Sequence, residues 1–247
     1  MLNLFKYFIP FFLMFPVAEG FAQTPSFNSA ETLIPIQVSS SNYYPVMLLD
    51  NMGRKINRSV VKDAEGTPYL FNDWRKAKVE TADGKTFVVD KIKLHLQAGE
   101  LHWMNPQQQI IVVQAGTVKN IRFIDSLTPD SLQLLYATGF PAIDMQDQNT
   151  WYRVLAKGKF TLLEYQQKKL RTGKNELSGL ISSEFVDVKD LYVVRDGKIV
   201  AMKRNKKGVV GYFSEYAVQL NAYLQSREVD FKSNEDLAQL FREANKW

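Results

Sequence analysis

From Arg58 to Arg204, apolar and polar residues alternate with a period of two, interrupted at intervals by glycine-containing turns. Successive side chains of a strand point to opposite faces, so this pattern builds half-buried strands with one dry face and one wet face. Asp83-Gly84 and Asp196-Gly197 are two-residue hairpin signals, because both central positions of a type I′ turn require positive φ. Ala98-Gly99 and Lys157-Gly158 mark weaker turns. Between these breaks the pattern predicts strands at 76–81, 86–96, 101–104, 109–114, 118–124, 151–156, 160–165, 185–195 and 199–203. Most connections are too short for the helical crossovers that parallel strands need, which leaves an antiparallel sheet.

The period changes near the end of the chain. Phe213, Ala217, Leu220 and Leu224 step by four, three and four and so share one helical face. A second helix starts at Ser233, whose hydroxyl can cap a free N–H, with Glu235 and Asp236 in the favourable first turn. Leu237, Leu240, Phe241 and Ala244 form its apolar stripe, and the sheet is the only large surface for both helices to cover. Tyr212, Tyr216 and Tyr223 flank the first stripe as the rim of that contact. The expected fold is therefore mainly β (α+β): an antiparallel rolled sheet or open barrel, residues 56–205, with two C-terminal helices from 206–247 packed on it.

Ahead of the sheet, residues 1–22 read as a signal peptide. Lys6 precedes an apolar run that Pro10 and Pro16 interrupt, too short for the roughly 17–25 residues of a membrane span, and Gly20 and Ala22 suit the −3 and −1 positions of a cleavage site. No cysteine follows to take a lipid. The exported chain is then a periplasmic or secreted protein without a transmembrane segment. Residues 23–55 read as an extended arm punctuated by Pro25, Pro35 and Pro45, with one short strand at 33–38 or at 46–49.

Composition narrows the chemistry. There is no cysteine, which excludes disulfides, thiol nucleophiles, Cys-ligated zinc and iron–sulfur clusters. Two histidines exclude a three-histidine metal site. Neither Gly-x-Ser-x-Gly nor His-Glu-x-x-His occurs, and Gly208-Val-Val-Gly211 lacks the rest of any phosphate loop. No cofactor is implied. Acidic groups at Asp144/Asp147 and Glu184/Asp187/Asp190 contain enough carboxylates for a glycosidase, but sequence does not show the required separation of about 5–9.5 Å.

Two local features bear on binding. Pairing Leu96 with Leu101 and Leu94 with Trp103 keeps the apolar face of the 91–104 hairpin intact and sets His95 opposite His102, with Cβ atoms about 4.5–5.5 Å apart and Glu100 on the same face. Imidazole is a good ligand for Zn²⁺ or Cu²⁺, so His95, His102 and Glu100 are a candidate metal set; the competing expectation is a solvent-facing pair beside Lys91, Lys93 and Gln97. The net charge of +5 gathers in two runs, Lys168, Lys169 and Arg171, then Lys203, Arg204, Lys206 and Lys207. These are candidates for an anionic surface such as an envelope lipid, glycan or protein, while export argues against nucleic acid.

Three phrases carry a resemblance: Gly66-Thr-Pro-Tyr-Leu-Phe-Asn-Asp-Trp74 followed by Lys78-Val-Glu-Thr-Ala-Asp-Gly-Lys-Thr-Phe87; Trp151-Tyr-Arg-Val-Leu-Ala-Lys-Gly-Lys-Phe-Thr-Leu-Leu-Glu-Tyr165; and Leu191-Tyr-Val-Val-Arg-Asp-Gly-Lys-Ile-Val200 with Lys206-Lys207. With the leader ending Gly20-Phe-Ala-Gln23, they resemble uncharacterised secreted β-rich proteins of Bacteroidota-type bacteria. The resemblance implies export, a β-rich body and a helical tail, and transfers no activity. The expected function is a non-catalytic envelope or surface-associated binding or structural module, the alternative being a metal-binding protein or metal-dependent enzyme built on His95 and His102. N-terminal sequencing of the exported chain is expected to start at Gln23; an intact Met1 in the exported fraction would remove the signal-peptide reading.

Overall fold

The computed structural model describes residues 43–50, 52–61, 63–124, 134–174 and 181–247. The expected signal peptide at 1–22 and the strand alternative at 33–38 lie outside them. The strands are β1 (Tyr43–Leu49), β2 (Lys55–Val61), β3 (Arg75–Thr81), β4 (Thr86–His95), β5 (Glu100–Met104), β6 (Ile110–Val113), β7 (Val118–Phe123), β8 (Leu135–Ala137), β9 (Tyr152–Ala156), β10 (Thr161–Lys174), β11 (Ile181–Arg195) and β12 (Lys198–Met202). They form one open sheet in the order β12-β11-β10-β9-β8-β7-β3-β4-β5-β6-β1-β2. Pairing is antiparallel except where β1 meets β6 at Leu49 and Ile111. Thus the strand at 46–49 is present and extends back to Tyr43, which places part of the expected arm inside the sheet.

The sheet supports two main cores. Under β3, β4, β5 and β7, Ala77, Val79, Ile92, Leu94, Leu101, Ile121 and Phe123 pack together with Tyr136 of β8. At the other end, Phe160, Leu162, Leu191 and Val193 form a floor for the helices α1 (Lys206–Tyr212), α2 (Ala217–Ser226) and α3 (Asn234–Ala244). A 3₁₀ turn, Ser214–Tyr216, divides what the sequence pattern reads as one helix. It breaks the expected stripe: Phe213 and Leu220 are buried, but Ala217 faces solvent. Tyr212, Tyr216 and Tyr223 sit half-buried around this core, as the rim position requires. Ser233 caps α3 by accepting from the Asp236 N–H at 3.3 Å.

α3 is stapled to the β9–β10 turn by Asn245. The Phe160 N–H donates to Asn245 Oδ1 at 2.6 Å, and Asn245 Nδ2 donates to the carbonyls of Lys157 and Phe160 at 3.1 and 3.2 Å. The approach is so close that a Cβ at Gly158, φ +149°, would fall 2.4 Å from Asn245 Cγ. Glycine is required there by space as well as by conformation.

Between the two cores runs a buried polar chain. Glu164 on β10 is fully buried. Its carboxylate accepts from Arg204 Nη2, from Gln166 Nε2 at 2.6 Å and from Asn234 Nδ2 at 3.2 Å, with Arg153 Nη1 3.7 Å away. The Tyr136 hydroxyl donates to Gln166 Oε1, joining the first core to this carboxylate, and burial pushes the Tyr136 phenol well above its usual range. Arg204, expected as a free surface cation, is therefore the counterion of Glu164, and it also holds Asn234 Oδ1 at 2.7 Å and the Lys232 carbonyl at 3.0 Å. Removing one partner of a buried pair leaves the other charge uncompensated. Glu164→Leu is expected to cost about 3 kcal/mol in urea unfolding, and adding Arg204→Met should recover part of that loss; strict additivity of the two would show that they do not act as a pair.

Candidate functional site

The hairpin of β4 and β5 pairs in a register different from the one expected. Leu94 faces Leu101, Ile92 faces Trp103, His95 faces Glu100, and Lys93 faces His102. Residues 96–99 make a four-residue turn in place of the two-residue one. Both registers keep the apolar residues on one face, because they differ by an even number of residues, and periodicity alone does not separate them. His95 and His102 are consequently diagonal neighbours, with ring centroids 5.3 Å apart.

Neither histidine faces solvent; they are 7% and 1% exposed. The segment leading into β3 covers them, since the Leu70 N–H donates to the Leu94 carbonyl and lays Tyr69 beside both rings. The imidazole of His102 contacts Glu100 Oε2 through Nε2 at 3.1 Å and the Tyr69 hydroxyl through Nδ1 at 3.2 Å. A carboxylate only accepts, so in the neutral ring Nε2 carries the proton and the Tyr69 hydroxyl donates to Nδ1. His95 Nδ1 accepts the Ala98 N–H at 3.1 Å and fixes the turn. Lys93 lies 4.8 Å from the Tyr69 ring centre and 5.2 Å from that of Trp74 and donates to the Asn72 carbonyl. Burial lowers its pKa, with Asp73 opposing.

The structure thus brings His95, His102 and Glu100 together, but both ring nitrogens of His102 are engaged within the protein. Among the described residues no group of three or more His, Asp or Glu side chains is arranged to hold a metal ion. The basic candidates separate into two kinds. The Lys168–Arg171 run belongs to β10 and is no loop: Lys168 pairs with Asp187 at 2.9 Å, and Arg171 Nε with Glu184 Oε1 at 2.9 Å, both directly cross-strand. Lys169, Lys203, Lys206 and Lys207 have no ion pair among the described residues, and the last two open α1. Those pairings also engage Glu184 and Asp187 of the acidic group.

A groove of about 750 Å³ opens on the sheet. It is lined by Asp50, Met52 and Arg54 of the β1–β2 turn, Leu94 and residues 96–101 of the β4–β5 hairpin, residues 112–118 except Thr117, Thr138, residues 147–151 except Gln148, and Tyr165 to Gln167 of β10. Strands β10 and β5 are far apart in the sheet order, so only the curl of the sheet brings them to one cavity. Leu94, Leu96, Leu101, Val118 and Trp151 make an apolar floor, while Gln97, Gln167, Asn149 and Thr138 stand on the walls. The two histidines sit on the reverse face of one wall, and through Ala98 and Glu100 they hold its turn in shape.

The charged groups of the lining make hydrogen bonds to neighbouring groups. Arg54 Nε contacts Asp50 Oδ2 at 2.5 Å, and Asp50 also accepts the backbone N–H groups of Met52 and Arg54. Asp147 accepts from the Asn149 N–H at 2.9 Å and from the Thr150 hydroxyl at 3.1 Å, and Glu100 holds His102. No protein-family model, curated protein or solved structure matches the chain. Of the groove residues, Asp147 and Glu100 stood out in the sequence for other reasons, whereas Thr138, Asn149 and Gln167 carried no signal there.

His102→Ala removes the partner of Tyr69 and Glu100 and opens a void, with an expected loss of about 2–3 kcal/mol in thermal or urea unfolding. Calorimetric titration with zinc is expected to give the same trace for the wild type and His95→Ala. A saturable heat that disappears in the variant would restore the metal site.

Proposed function

We propose that this chain is an exported, non-catalytic binding protein that receives a small ligand in the groove between the β4–β5 turn and β10. The observation that carries the reading is the groove itself, whose volume of about 750 Å³ lies in the range of small-molecule sites and which joins an apolar floor to polar walls. Catalysis finds little support there. A general acid or nucleophile has to be free to act on a substrate, and the carboxylates of the lining, Asp50, Glu100 and Asp147, are each held by neighbouring groups. Support for export is the leader pattern at residues 1–22 together with the resemblance to secreted β-rich proteins. No helix among the described residues is long and apolar enough to cross a membrane.

The groove is preferred to the basic residues as the site because three of the seven cations, Lys168, Arg171 and Arg204, are committed to carboxylates within the fold. Metal binding at His95 and His102 would require a ligand atom that His102 gives to Glu100 or Tyr69.

An NMR screen of small compounds against the isotope-labelled protein is the test. Compounds that bind are expected to shift the amides of residues 96–101, 114–118 and 149–151, and their binding should disappear in Thr138→Trp, which fills the groove. Shifts confined to residues 203–207, abolished by Lys206→Glu/Lys207→Glu and reproduced by anionic lipid vesicles, would move the site to the basic surface.

A further inference from the structure

We infer that the groove takes a neutral saccharide. This rests on the binding reading above and adds the chemistry of the ligand. An anionic ligand would meet the Glu100 and Asp147 carboxylates, and a cationic one would have to compete for oxygens already hydrogen-bonded by His102, Asn149 and Thr150, while Asp50 is paired with Arg54. A purely apolar ligand fits no better, because it would strip water from the wall amides of Gln97 and Gln167 and return no hydrogen bond.

What the walls offer is donors and acceptors in one side chain. The carboxamides of Gln97 and Gln167 each present an N–H₂ and a carbonyl oxygen, and the Thr138 oxygen, whose proton goes to the Val118 carbonyl at 3.4 Å, can accept. Sugar hydroxyls have the same dual character, so each meets its complement without any ionisation. The floor supplies the second half of the match. A pyranose ring has an apolar C–H face, and half-buried Trp151, set beside Leu94 and Val118, provides an aromatic and aliphatic surface for it. Gln166 is not available for this role, because Tyr136 and Glu164 engage both ends of its amide.

The test is calorimetry with three neutral probes, chitotriose, maltotriose and cellotriose, read together with amide shifts. At least one probe is expected to bind saturably with shifts at residues 96–101 and 149–151. Its affinity should fall at least 10-fold in Gln167→Ala and in Trp151→Phe, and stay within 2-fold of wild type in Lys206→Glu/Lys207→Glu. The half-exposed position of Gln167 keeps its truncation informative if Trp151→Phe perturbs the core. If none of the three binds while charged or apolar compounds occupy the groove in a Thr138→Trp-sensitive manner, the saccharide inference falls and the binding reading stands. If no compound of any class enters the groove, both fall.

Discussion

A carboxylate without water organises this molecule. Glu164 is the fourth residue of β10, preceded by the buried Leu162 and Leu163, and burial would make its charge very costly if it stood alone. The surrounding groups come from every direction: Arg153 from β9, Gln166 from β10 itself, Arg204 from the end of β12, and Asn234 from the first turn of α3. Each has to be in register for the carboxylate to be satisfied. Buried ion pairs are weak sources of net stability but strong penalties on misplacement. In this fold the penalty falls on any arrangement in which the helical tail docks elsewhere on the sheet.

Through Gln166 the same chain reaches Tyr136, in the core on the other side of β9. The region around β8 and β9 is where the sheet turns from the helix-covered end to the end that carries the groove. Its curvature converts a continuous ladder into a concavity, with β10 on one bank and the β4–β5 and β6–β7 turns on the other. The banks hold their charged groups by short-range hydrogen bonds, and the histidines brace one of them from behind. A groove shaped in this way relies on backbone pairing for its outline and on few side chains for its selectivity.

Much of the architecture was legible in the sequence because period two is a property of the strand itself. The expected strands from 76 to 124 and from 151 to 203 all have counterparts; Asp196-Gly197 takes positive φ at both positions as expected (+51° and +72°), whereas at Asp83-Gly84 only the glycine does (+81°), in a three-residue loop closed by the Thr81 N–H on the Lys85 carbonyl. Strand β8 was missed because three residues are too few to show a period. The histidine hairpin was misregistered by two residues because an even slip preserves the faces, and only the covering segment at Tyr69 reveals which loop length is used. The run at Lys168 read as a loop because both faces of that part of β10 are polar, and a strand that projects past the core loses its alternation. Glu164 did leave a trace, a lone charge within Leu-Leu-Glu-Tyr, but its partner Arg204 was hidden in a cluster of lysines. The groove left none, since its banks meet through curvature and not through any spacing along the chain.

The staple at Asn245 has a kinetic side. Nearly every strand pairs with a neighbour close in sequence, contacts that form early and quickly, whereas Asn245 reaches back 85 residues to Phe160. Without the helices, the faces of Phe160, Leu162, Leu191 and Val193 would have no cover, so a sheet formed ahead of its tail would carry an apolar flank open to a chaperone or to another copy of itself.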